Sequence, residues 1–143
     1  MGTRLHTHFL PYTPEQLYDL VVDVEKYPEF LPWCAAVRIL SKSETELVAD
    51  LSVGYKMFRE TFRSRVLLTP KTRVDVEYVT GPFHHLNNHW TFKDAPEKGT
   101  NIDFFIDFAF RNSLFQSATQ MVFEGAFNQM LSAFEKRAHQ IYG

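Results

Sequence analysis

Residues 101–110 read NIDFFIDFAF, and residues 113–142 continue as SLFQSATQMVFEGAFNQMLSAFEKRAHQIY. The first stretch alternates apolar and polar side chains, which is typical of a β-strand with one buried and one solvent face. The second stretch has no proline and carries apolar residues at helical spacing. It predicts one helix of about 30 residues, roughly 45 Å long, with Ser113 as its N-cap. Such a helix needs a large apolar surface, and the dry face of a sheet is the candidate.

The same alternation extends backwards along the chain. Apolar residues recur with a period of two, with occasional polar interruptions, in four earlier stretches, which are 46–55, 60–68, 72–79 and 86–92. Short links rich in turn residues separate the predicted strands. Short links join antiparallel neighbours, so the middle of the chain predicts a meander of about six strands. Residues 3–10 predict a further strand that ends at Pro11.

A short helix is predicted directly after that first strand. Thr13 can cap it, Pro14 suits its first position, and Gln16 completes a capping box. Pro28 and Pro32 restrict the next segment to a brief helical turn around Tyr27–Leu31. The predicted order is one strand, two short helices, six strands and one long helix. This is an α+β helix-grip fold: a curved antiparallel sheet of about seven strands around a long C-terminal helix. A curved sheet and a straight helix close incompletely, so we expect an apolar cavity between them.

Composition narrows the functional classes. The 143 residues suit a single domain, 1–143, and the formal net charge of −2 argues against DNA binding. The single cysteine, Cys34, excludes an internal disulfide and a multi-cysteine metal site. No apolar run is long enough to span a membrane, and the N-terminus lacks the pattern of a signal peptide. We therefore expect a soluble protein, cytoplasmic if bacterial, with peripheral contact at the inner face of the membrane as an option.

Several stretches resemble one known family. Residues 12–34 read YTPEQLYDLVVDVEKYPEFLPWC, and further matches are RETFRSRV at 59–66, Gly81-Pro82-Phe83, LNNHWTF at 86–92 and DFAF at 107–110. Together they are similar to the coenzyme Q-binding (ubiquinone-binding) proteins of the START-like, polyketide cyclase/dehydrase superfamily. The resemblance spans nearly the whole chain in order.

The resemblance implies a single START-like lipid-binding domain. It would bind ubiquinone or a related isoprenoid lipid as its ligand, with no covalent cofactor, and support respiratory electron transport. A similar bacterial family is described as a ribosome-association toxin, so the ribosome is the alternative partner. Between Lys56 and Arg73 there are six Lys/Arg and one acid, Glu60, which predicts a basic surface for that role.

The apolar faces of the predicted sheet and helix indicate which residues could contact a ligand. The ligand would touch side chains on the inner face of the sheet and on the helix; the candidates are Phe62, Val66, Tyr78, Trp90, Phe104, Phe108, Met121, Val122 and Gly125. Two further segments would form the cavity mouth or a membrane contact, through Phe30, Leu31, Trp33, Met57 and Phe58. Close packing against the core remains the other interpretation of both segments.

Catalytic and metal sites receive little support. His85 and His89 share a strand face about 13 Å apart, too far for one ion, so with His84 they are interpreted as solvent-facing. Cys34 has no histidine nearby in sequence. Glu60 shares the parity of Phe62, so a cyclase-type enzyme that uses an inward Glu60 is the second alternative. We expect no catalytic residues and no metal.

Overall fold

The computed structural model describes residues 2–55, 58–96, 98–110 and 116–143, and within these ranges all side chains except those of 55, 58, 110, 116–124 and 126. The strands are β1 (Gly2–Leu10), β2 (Cys34–Lys42), β3 (Glu46–Tyr55), β4 (Phe58–Thr69), β5 (Arg73–Thr80), β6 (Phe83–Ala95) and β7 (Gly99–Phe110). The helices are α1 (Pro14–Val22), α2 (Tyr27–Phe30) and α3 (Gln116–Tyr142), with a 3-10 turn at Val24–Lys26 between α1 and α2.

The strands form one curved antiparallel sheet. Its order is β1-β7-β6-β5-β4-β3-β2, so six consecutive strands make a meander and β1 is added beside β7. The β1–β7 register runs from Gly2 opposite Phe108 to Leu10 opposite Thr100. The predicted seven-strand sheet with a long C-terminal helix is confirmed.

The turn into α1 has the predicted capping box. The Gln16 backbone N–H donates to the Thr13 hydroxyl at 3.1 Å, and the Thr13 backbone N–H donates to the Gln16 side-chain oxygen at 3.0 Å. Pro14 occupies the first turn, where its missing N–H is not needed. Leu17, Leu20 and Val21 are then buried on one side of the helix. The helix thus closes one end of the sheet.

The core has one large and one small part. The large part joins the α1 face, the middle of the sheet and the C-terminal half of α3; Trp90 packs there against Phe104 and Phe134, with ring centroids 4.4 and 5.3 Å away. The small part contains Phe83 and its buried neighbours near the ends of β6 and β7. Aromatic rings therefore fill much of the space between the helix and the sheet.

The structure changes some predicted boundaries. β6 runs from Phe83 to Ala95 where alternation alone supported 86–92, because ladder pairing with β7 continues to Ala95 opposite Gly99. The predicted cap Ser113 lies outside the described residues. No helix in the described part of the chain has the length and apolarity needed to cross a bilayer.

The capping box supplies a first test. Replacing Thr13 with Ala removes the side-chain acceptor at the helix start, and we expect it to lower the free energy of unfolding by about 1 kcal/mol. Urea denaturation measures this. Thr45→Ala, at an exposed turn residue, is the control and should change stability by less than about 0.5 kcal/mol. Equal effects of the two substitutions would contradict the role of the capping box.

Candidate ligand cavity

A cavity of about 230 Å³ lies between the concave face of the sheet and helix α3. Its described lining residues come from strands β3 to β7, from the three α-helices and from the segments next to them. They are Val21, Val24, Tyr27, Leu31, Trp33, Leu51, Val53, Phe62, Ser64, Val66, Val74, Val76, Phe83, Leu86, Asn88, Trp90, Phe104, Ile106, Phe108, Phe127, Met130 and Phe134. The wall is almost wholly apolar, as strand alternation requires of a dry sheet face.

Few polar groups reach this wall. Tyr27 donates its hydroxyl hydrogen to the Val21 carbonyl, and burial raises the pKa of Tyr27 far above its ordinary value. Ser64, on β4, is 2% exposed. Asn88, on β6, lies between Leu86 and Trp90 on the same face. Among the described residues no group accepts a hydrogen bond from the buried Trp33 Nε1.

Five of the nine predicted ligand contacts border the cavity; these are Phe62, Val66, Trp90, Phe104 and Phe108. Tyr78 does not border it. Its hydroxyl accepts a hydrogen bond from the Phe83 backbone N–H at 3.0 Å, and its ring packs edge-on against Phe83, which turns it towards the sheet rim. Gly125 lies in α3, partly exposed, and is not among the described lining residues. The side chains of Met121 and Val122 lie outside the described part of the chain.

The predicted mouth residues divide into two groups. Leu31 and Trp33 line the cavity. Phe30 instead packs edge-on against Tyr27 and Phe134, on the outer side of α2, because the short helix turns it towards α3. Met57 and the side chain of Phe58 lie outside the described residues.

The candidate catalytic and metal-binding side chains are separated. His85 lies 3.3 Å from Asp107, whereas His89 stacks on Phe105, and His84 is exposed. Glu60 is exposed even though its parity matches that of Phe62, since it lies only two residues into β4, at the rim of the sheet. The inward acid that a cyclase mechanism would need is therefore not supplied by Glu60.

Ion pairs neutralise much of the predicted basic surface. Four of the six cations between residues 56 and 73 have carboxylate partners: Arg63 with Asp50 (2.8 Å), Arg65 with Glu46 (2.7 Å), Lys71 with Asp19 (2.8 Å) and Arg73 with Asp75 (2.9 Å). The hydrogen bond from Arg63 lowers the pKa of Asp50. The sequence count missed these partners because they lie outside the 56–73 window and are brought in by strand pairing and by α1. The count of cations in the sequence therefore overstated the net positive charge of this surface.

Most of the chain matches the sequence pattern of one known protein family. Residues 10–135 match "Polyketide cyclase / dehydrase and lipid transport". The chain belongs to this family. Membership fits a helix-grip domain with an apolar cavity, and it confirms the superfamily indicated by the sequence.

Curated proteins that are similar to this chain carry more than one name. "Ribosome association toxin RatA" of Pseudomonas aeruginosa is 38% identical over 144 residues, covering 100% of both chains. The protein of the same name in Rickettsia prowazekii is 38% identical over 95% of both chains. "Coenzyme Q-binding protein COQ10 homolog B, mitochondrial" of Xenopus laevis is 34% identical over 94% of this chain and 57% of its own length.

Solved structures agree on the fold. An 18 kDa protein from Caulobacter crescentus, solved in solution, is 34% identical, with a TM-score of 0.82 over 100% of this chain and 99% of that one. The Zhui aromatase/cyclase from Streptomyces sp. R1128 has a TM-score of 0.87 over 97% of this chain and 94% of its own, at 19% identity. At that identity the likeness to the cyclase concerns the fold alone.

The sequence reasoning missed both polar residues that the sheet contributes to the cavity wall. Ser64 and Asn88 are polar residues on otherwise dry strand faces, and the search for lining residues selected apolar side chains. Their positions in the alternating pattern could have identified them. Ser64 falls midway between Phe62 and Val66, and Asn88 midway between Leu86 and Trp90, so each shares the face of its apolar neighbours. A polar residue inside a dry row marks a position at which a hydrogen bond is needed.

The buried thiol of Cys34 provides a test of how tightly the structure is packed next to Trp33. Burial raises the pKa of the Cys34 thiol to about 11, so the reactive thiolate is scarce at neutral pH. We expect labelling by a disulfide reagent at pH 8 to be at least 100-fold slower in the folded protein than in urea. Rapid, complete labelling of the folded protein would show that Cys34 is accessible and that this end of the cavity opens readily.

Proposed function

We propose that this protein binds ubiquinone or a related isoprenoid lipid in its cavity and carries it unchanged, in support of respiratory electron transport. The observation that supports this most is the cavity of about 230 Å³ with an almost wholly apolar wall. An engineered cavity of about 150 Å³ suffices for benzene, so this one accommodates a substituted ring. A long isoprenoid tail would extend through the mouth, past Leu31 and Trp33.

The chemistry of the wall favours a carrier over an enzyme. Proton transfer needs a positioned acid or base. Among the described lining residues the one titratable side chain is Tyr27, whose hydroxyl is already bound to the Val21 carbonyl. Peripheral contact of the mouth with the inner membrane would let the lipid enter. The name of the Xenopus laevis relative, a coenzyme Q-binding protein, points in the same direction.

The test is to fill the cavity and measure the lipid. Val76 lies on the concave face of β5, whereas Val79, three residues later, is 44% exposed. We expect protein purified without detergent from a quinone-producing host to contain near-stoichiometric quinone by mass spectrometry of organic extracts. Val76→Phe should lower the content at least fivefold because the ring occupies the cavity.

The matched control is Val79→Phe, which makes the same change on the outer face and should keep the quinone. Both variants should unfold cooperatively near the wild-type temperature. A wild-type protein that is empty on purification, and still empty after incubation with quinone-containing vesicles, would contradict the carrier function.

Association with the ribosome is the second candidate, because full-length relatives at 38% identity are named ribosome association toxins. The outer surface would carry it. Arg59 is exposed and, within the described part of the chain, has no carboxylate partner, unlike the four paired cations.

Sedimentation with purified ribosomal subunits tests this second candidate. If phosphates are contacted, binding should fall steeply with salt, and Arg59→Glu should weaken it. Val76→Phe should leave it unchanged, since the cavity is not involved. Absence of co-sedimentation at low salt would contradict the ribosomal function while leaving the carrier function intact.

A further inference from the structure

We propose that Ser64 and Asn88 form a head-group subsite that selects an uncharged ring with hydrogen-bond-accepting oxygens at opposite edges. This inference rests on the lipid-binding function proposed above. It adds which head-group chemistry the cavity selects and which residues select it.

Ser64 is a polar residue of the cavity wall that has no hydrogen-bond partner among the described residues. It lies in the middle of β4, between Phe62 and Val66 on the concave face, and is 2% exposed. In the described part of the chain its hydroxyl makes no hydrogen bond, whereas Ser52 on the convex face bonds Thr61 at 3.0 Å. A hydroxyl in an apolar cavity wall that lacks a partner is unfavourable compared with one that is hydrogen-bonded. A ligand oxygen would satisfy it.

Asn88 supplies the second polar group. Its side chain shares the concave face of β6 with Leu86 and Trp90, and the described residues offer its amide no hydrogen bond. The adjacent Asn87 faces outwards and accepts the Tyr78 backbone N–H at 3.3 Å. An amide has two donor hydrogens and an acceptor oxygen, so Asn88 can bind a carbonyl or a hydroxyl.

The spacing of the two residues defines the ligand. Val66, Val76 and Asn88 lie on one row across three strands, and Ser64 lies two residues further along β4. Two strand spacings and two residue rises place the two Cα atoms about 12 Å apart. The side chains cannot reach each other over this distance. Both side chains rise from the same concave face, so their polar atoms are at most about as far apart as their Cα atoms. Two hydrogen bonds of about 2.9 Å then leave at most roughly 6 Å between the ligand oxygens, which suits carbonyls at opposite ends of a six-membered ring.

The charge of the wall excludes acidic head groups. Among the described residues that line the cavity, none is Asp, Glu, Lys, Arg or His. A carboxylate or phosphate placed there would be buried without a counter-ion, which is strongly unfavourable. The subsite therefore discriminates a neutral dioxygenated ring both from a hydrocarbon and from a fatty acid with a tail of the same length.

Competition with Nile red, a neutral dye, measures this selectivity on the delipidated full-length chain. The three competitors carry one decyl tail on a 1,4-benzoquinone, on benzene, or on a carboxylate. We expect the wild type to bind the quinone most tightly. Ser64→Ala and Asn88→Leu should each weaken quinone binding about fivefold to tenfold, the usual worth of one hydrogen bond. The same variants should bind decylbenzene equally well or better, because an unpaired polar group has been removed.

Matched controls change the same residue types on the convex face: Ser52→Ala and Asn101→Leu should leave all three affinities unchanged. If the wild type and both cavity variants bind the quinone and decylbenzene alike, the cavity binds lipid but the subsite is refuted. Tight binding of the carboxylate would refute the selection for neutral ligands. If none of the three displaces the dye from the wild type, the lipid-binding function itself fails.

Discussion

The packing of α3 on the concave face of the sheet is the contact on which the rest of the structure depends. Trp90 lies between Phe104 of the neighbouring strand and Phe134 of the helix, and Phe127 contacts Phe104 one level further along, at 5.6 Å between ring centroids. These rings are wide, and they hold the helix away from the curved sheet. Small side chains such as Val66 and Val76 occupy the floor beyond them, so the space is not filled. The cavity is thus a consequence of how the covering helix is supported.

The end of the fold next to α1 is closed by specific hydrogen bonds. The Thr100 hydroxyl donates to the Tyr12 carbonyl at 2.7 Å in a buried position, and the Tyr142 hydroxyl donates to the Gln16 carbonyl at 2.8 Å. A Tyr12–His139 side-chain contact joins the same two regions. These bonds tie the start of α1 to the last turns of α3. Trp33 and Phe83, which also line the cavity, take no part in these bonds.

The two faces of the sheet divide the chemistry of the protein. Charged side chains lie on the convex face and rim, where strand pairing brings Asp50 opposite Arg63. The concave face carries two neutral polar groups, Ser64 and Asn88, in an apolar wall. This separation keeps the cavity wall free of charge while the exterior of the same domain stays polar.

The sequence by itself determined the elements and their order. Alternation identified the strands, the Thr13–Gln16 capping box located α1, and the proline-free C-terminal stretch predicted α3, because these signals depend on local backbone geometry. Parity also identified five cavity-lining residues correctly. Only the tertiary structure decided how deeply each side chain is buried and which residue it contacts. In the structure Glu60 is exposed at the rim of the sheet, and Tyr78 packs against Phe83. Four cations between residues 56 and 73 pair with carboxylates that lie outside that segment. Alternation along a strand predicts which face of the sheet a side chain lies on. Its burial and its partners depend on which other strands and helices pack against that face.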